Sequence, residues 1–202
     1  MNEGEWLTCT DPEKMLEFLR GRTGVLTSIS RNPTISKRKL GLFIVACCYR
    51  VWGQMDEPSR RAVLVLERFA DGLATRIDLT AATERAAWEA LARTPVGWMR
   101  AAWEASKTES SDFLREIYNS HRRLVLDPAV LAWNDAAVVR LAQAAYEERH
   151  LPEGTLDTGR LAVLADALEE AGCTDADILS HLRGPGPHVR GCWVLDLCLG
   201  KS

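Results

Sequence analysis

Leu161-Ala162-Val163-Leu164-Ala165-Asp166-Ala167-Leu168-Glu169-Glu170-Ala171-Gly172-Cys173-Thr174-Asp175-Ala176-Asp177-Ile178-Leu179 is the stretch that decides the fold class. Leu161, Leu164, Ala165 and Leu168 recur at helical spacing, with Asp166, Glu169 and Glu170 turned to the other side. Gly172 suits a left-handed helix end, and Thr174 with Asp177 three residues later fits a capping box that opens another helix. One stretch thus spells helix, stop and restart.

The same grammar recurs upstream. Asp11-Pro12 and Asp127-Pro128 each place an N-cap before a proline at the first helical position, and Thr94-Pro95 repeats the arrangement. Leu40, Phe43, Ile44, Cys47 and Val51 form an apolar stripe on a helix expected over about 35–54, and Val63, Leu66, Phe69, Ala70 and Leu73 form another on a helix starting near Pro58. No series of alternating β-branched segments competes with these patterns. The expected fold is all-α, a compact multi-helix bundle over residues 1–202, with a soft boundary near 150 that would set off a C-terminal helical module, 151–202.

Two stretches, 21–34 and 150–159, carry the turn residues of loops. The segment Ala86-Ala87-Trp88-Glu89-Ala90 returns as Ala101-Ala102-Trp103-Glu104-Ala105, two units where a solenoid needs three or more. Hydrophobic residues make up 47% of the 202 and charged residues 26%, so a core forms without metal or disulfide. The six cysteines read as reduced thiols, since Cys47, Cys48, Cys192 and Cys198 lie in apolar segments. No run reaches the roughly 18 apolar residues of a membrane span, and the acidic start Met1-Asn2-Glu3-Gly4-Glu5-Trp6 is unlike a signal peptide, so the expectation is a cytoplasmic protein without a membrane partner.

The net charge of −3 argues against a nucleic-acid partner, although residues 31–61 hold seven Lys/Arg against two acids. Residues 147–177 show the reverse, nine acids against two Arg. Seven tryptophans, at 6, 52, 88, 98, 103, 133 and 193, serve either as rigid filling between Ala-rich helices or as anchors for a protein partner.

Chemistry concentrates near the C-terminus. Asp196 stands alone in the apolar run Cys192-Trp193-Val194-Leu195-Asp196-Leu197-Cys198 behind the turn Gly184-Pro185-Gly186-Pro187. A buried carboxylate needs a cation, a proton or several donors. Arg183, His188 and Arg190 are at hand, and with Cys192 and Asp196 they form the candidate cluster. The expected role is structural, a salt link from Asp196 to Arg183 or Arg190. Cys173, His181, His188 and Cys192, spaced C-x7-H-x6-H-x3-C, could also hold zinc in a tetrahedron, with His188 and Cys192 sharing a face if the last helix starts at His188. The alternative is two capping or surface histidines and two core thiols. Adjacent Cys47-Cys48 lacks the spacer of a redox pair and reads as core. No G-x-S-x-G elbow or H-E-x-x-H motif is present. Gly200-Lys201-Ser202 and Gly184-x-Gly186 lack the geometry of a phosphate loop.

The opening Glu5-Trp6-Leu7-Thr8-Cys9-Thr10-Asp11-Pro12 with Met15-Leu16-Glu17-Phe18-Leu19-Arg20 resembles that of an uncharacterised bacterial family present in many copies in some large genomes. Arg38-Lys39-Leu40, Ala46-Cys47-Cys48, Ser59-Arg60-Arg61-Ala62-Val63 and Ala70-Asp71-Gly72-Leu73 continue the likeness, which is strongest over 164–173, 177–179 and Gly186-Pro187-His188-Val189-Arg190-Gly191-Cys192-Trp193. It covers most of the chain and is looser over 76–125; residues 21–34 are longer than the family's corresponding stretch. The resemblance implies a bacterial, cytoplasmic, stand-alone protein and assigns no catalytic residue. Together these readings favour a non-enzymatic helical protein-interaction or regulatory protein. The alternatives are a zinc-binding module or metal-dependent enzyme using the Cys/His set, and, more weakly, nucleic-acid binding through 31–61.

Overall fold

The computed structural model describes residues 1–21, 36–93, 98–118 and 124–201, with side chains over 1–19, 36–86, 104–118 and 124–201. Thr94-Pro95, most of the loop expected over 21–34, and the side chains of Trp88, Trp98 and Trp103 lie outside these residues. The described residues form ten α-helices and one two-stranded hairpin, an all-α fold. They divide into two compact units, Met1–Arg115 and Glu116–Ser202. The division falls at 115/116 rather than near 150.

The first unit opens with α1 (Glu3–Thr8), whose capping box joins Asn2 and Glu5. Helix α2 (Pro12–Gly21) follows, its first amides bonded to Asp11 Oδ1. Helix α3 (Lys37–Tyr49) is shorter than its pattern suggested, because the chain tightens into a 3-10 turn at Trp52–Gln54. It is also buried nearly all round from Gly41 to Tyr49, not along one stripe. Helix α4 (Glu57–Ala70) starts at the Asp56 N-cap and ends before Leu73, which is exposed beyond the left-handed Gly72 and so leaves the expected stripe. Helices α5 (Arg76–Arg93) and α6 (Trp98–Ile117) complete the unit, with α4 packed on both α3 and α5. Val45, Cys48, Tyr49, Val51, Met55 and Val63 form a continuous core.

The second unit takes the last two residues of α6 and continues into α7 (Pro128–Glu147), capped by Asp127. A break at Trp133–Ala136 interrupts α7, with Asn134, Asp135 and Ala136 in the left-handed region at φ 47°, 54° and 57°. Strands β1 (Arg149–His150) and β2 (Thr155–Leu156) pair antiparallel where a loop was expected. Helix α8 (Thr158–Glu170) buries Leu161, Leu164, Ala165 and Leu168, and Gly172 turns the chain at φ +96°. Asp175, not Thr174, caps α9 (Ala176–Leu182), its carboxylate accepting from the amides of Asp177 and Ile178. Helix α10 (Trp193–Leu199) closes the unit. Helix α7 packs on α8 and α10, and α9 on α8 and α10, which is why residues before 150 belong to the same core.

Among the described residues, no helix is long and apolar enough to cross a membrane. All six cysteines are free thiols.

Candidate metal centre

Three loci in the second unit converge. Glu116 enters from the end of α6, on a turn whose neighbours Phe113, Leu114, Ile117 and Tyr118 are all buried. His181 comes from the last turn of α9. His188 and Cys192 come from the connection between α9 and α10. That connection is pinned on its far side, because the Leu156 amide donates to the His188 carbonyl at 2.8 Å and Val189 bridges to Thr155. Helix α10 begins at Trp193 with Cys192 as its N-cap, so His188 and Cys192 do not share a helical face as the sequence suggested. The turn between them, not a helix, brings them together.

The four side chains offer ligand atoms that all lie within 4.8 Å of one another. Glu116 Oε1 is 3.1 Å from His188 Nδ1, and Glu116 Oε2 is 3.2 Å from His181 Nε2. His181 Nε2 is 3.3 Å from Cys192 Sγ. The histidine rings meet edge to face at 5.1 Å, and Trp193 covers His181 with ring centroids 5.0 Å apart. Glu116, His188 and Cys192 are buried, while His181 keeps a solvent-facing edge, its side chain 19% exposed.

Burial alone would push the Glu116 carboxyl up, but hydrogen bonds from His181 and His188 outweigh it and hold the group down at about 2. Burial likewise works against a charged His188, yet the bond to Glu116 prevails and raises its pKa. Burial and the neighbouring Glu116 charge push the Cys192 thiol well above its ordinary range. The centre thus sets a carboxylate held low beside an imidazole held high and a thiol pushed up by burial.

Of the four residues read as zinc ligands, the structure brings together His181, His188 and Cys192. Cys173 lies instead in the apolar core, just past the end of α8. Glu116 takes the fourth place and was missed. The signal for it was weaker than that for Asp196, since Glu116 is the lone acid in Phe113-Leu114-Arg115-Glu116-Ile117-Tyr118 but has Arg115 beside it, a neighbour that makes the pair read as a solvated surface.

The remaining members of the expected cluster have other surroundings. Arg183 reaches Asp166 at 2.7 Å and Glu169 at 2.6 Å on the surface of α8. Arg190 donates to the Tyr146 carbonyl at 3.1 Å and lies over the Tyr146 ring, as does Lys201. Asp196 is buried on α10, outside the four-residue centre. Among the tryptophans, Trp6 and Trp193 are buried, and Trp52 stacks on Tyr49 with Arg60 over its ring.

No protein-family model matches the chain, and comparison with curated proteins and with solved structures returns no significant match. The functional reading therefore rests on the chemistry of the centre.

Proposed function

We propose that Glu116–Ser202 is a zinc-binding, non-enzymatic helical module in which the ion ties the end of α6 to the α9–α10 corner. One observation carries this reading, the convergence of Glu116, His181, His188 and Cys192 donor atoms within 4.8 Å. Zinc bonds of about 2.0–2.3 Å at tetrahedral angles put neighbouring ligand atoms roughly 3.3–3.6 Å apart. The 3.1 and 3.2 Å separations reach different oxygens of Glu116, and the four ligand atoms lie within 4.8 Å of one another, so seating the ion requires the carboxylate to turn one oxygen inward and the wider pairs to draw in by up to about 1 Å.

Donor chemistry selects the metal class. One thiolate, two imidazoles and one carboxylate suit zinc and exclude calcium and magnesium, which take oxygen ligands. The charges also balance, since Zn²⁺ with Glu116 carboxylate, Cys192 thiolate and two neutral imidazoles makes a neutral complex suited to burial. Four protein ligands complete a tetrahedron and leave no open position for substrate, which favours a structural over a catalytic ion.

Elemental analysis of the purified full-length protein should give one zinc per chain. Cobalt(II) in its place should show tetrahedral visible bands and a thiolate charge-transfer band. Substoichiometric zinc after reconstitution, with no such cobalt spectrum, would overturn the reading.

A further inference from the structure

The two ring nitrogens of His188 face different partners. Nε2 lies 3.2 Å from the Gly184 carbonyl oxygen. A carbonyl only accepts, so this contact keeps the proton on Nε2. The carbonyl is itself fixed, because the Gly184 amide donates to the His181 carbonyl at 3.1 Å. The backbone of one metal-facing histidine thereby holds the group that orients the other.

The turn has little room for side chains. A Cβ at Gly184 would come within 3.1 Å of the His181 carbonyl oxygen. Gly186 adopts φ +85°, and a Cβ there would sit 2.6 Å from the His188 backbone nitrogen and 3.2 Å from ring Cδ2. The first of those separations is impossible without moving the backbone that carries His188. On the other flank, Leu156 holds the His188 carbonyl. Backbone groups thus fix the ring's position from both sides and turn Nδ1 towards Glu116 Oε1, 3.1 Å away.

We propose that Gly184 and Gly186 are positioning residues of the metal centre: the Gly184 carbonyl commits His188 Nε2 to its proton, so that His188 binds the ion through Nδ1 while His181 binds through Nε2. This inference rests on the zinc reading above and adds which atoms ligate and what aims them. Ligation through Nδ1 uses the nitrogen nearer the main chain, so the 184–192 connection wraps closely around the ion. Hydrogen bonding at the distal nitrogen also makes the ligating one more basic.

Long-range ¹H–¹⁵N correlation of the imidazoles in ¹⁵N-labelled, zinc-saturated full-length protein separates the two ligation modes. The expected spectrum has a metal-bound Nδ1 and protonated Nε2 for His188, with the roles reversed for His181. Stoichiometric zinc with His188 bound through Nε2 would overturn this inference and leave the zinc reading standing. Failure to take up zinc at all would overturn both. Gly186→Ala should weaken zinc binding by about 10–100-fold in competition with a chelator, the range expected when an orienting group is disturbed. A folded G186A protein with unchanged affinity would remove the positioning role. The wild-type spectrum decides the matter if that variant does not fold.

Discussion

Buried thiols occur in both units, and their surroundings set them apart. Cys47 and Cys48 lie on α3, where burial raises both thiols, Cys48 to about 12. Their neighbours are apolar side chains and the serine pair Ser106–Ser110, with Cys47 Sγ 3.8 Å from Ser110 Oγ. Cys192 is equally buried but faces a carboxylate and two imidazoles. The first environment calls for nothing beyond close packing. The second gathers groups whose charges and lone pairs a single cation would satisfy together. Burial therefore does not set Cys192 apart from Cys47 and Cys48; the titratable groups buried beside it do.

The largest expected effect tests that contrast directly. Cys192→Ser should abolish stoichiometric zinc, whereas Cys47→Ser and Cys48→Ser should each retain one zinc per chain by elemental analysis. Loss of zinc from the α3 variants alone would reverse the assignment.

Glu116→Gln in the metal-free protein should cost about 3 kcal/mol near pH 5.5 in urea unfolding, because it strips the counter-charge from buried histidine. Cys48→Ser, which puts a hydroxyl into an apolar site, should cost only about 1–2 kcal/mol. Equal losses would mean that the polar centre contributes no more than ordinary core.

The pH dependence of the metal-free protein follows from the same groups. Glu116 is held low in the folded state, so its contribution is present above about pH 4.5 and is lost as pH falls towards about 2. His188 is held high, so its contribution is complete below about pH 6.5 and is lost as pH rises through the raised value. Stability without metal should therefore peak between about pH 4.5 and 6.5 in urea midpoints. Zinc should shift the optimum to higher pH, because it requires the proton-free thiolate and imidazoles. A metal-free profile that climbs steadily from pH 5 to 8 would contradict the ion-paired centre.

The smallest effect lies away from both thiol environments. Ala136 sits at φ 57° in the break of α7, where a Cβ costs roughly 1–2 kcal/mol that glycine avoids. Ala136→Gly should therefore raise the thermal midpoint through a gain of about 1 kcal/mol, without altering zinc stoichiometry.

Most helices could be read from the chain because their signals are local. Asp127-Pro128 capped α7, Asp11-Pro12 opened α2, and Leu161, Leu164, Ala165 and Leu168 buried one face of α8, all set by spacing within a few turns. Errors came where long-range packing intervened. Helix α3 is buried beyond its stripe because neighbouring helices enclose it, and the 150–159 loop pairs as a hairpin that Val189 joins from afar.

The site divides along the same line. His181, His188 and Cys192 stand within twelve positions of one another, so the sequence by itself could nominate them and the glycine-proline turn between them. Glu116 is 65 positions before His181, and no periodicity links the two. Only the folding of the second unit decides that Glu116, rather than Cys173, joins the candidate set, because ligand geometry depends on distance in space and only incidentally on distance along the chain.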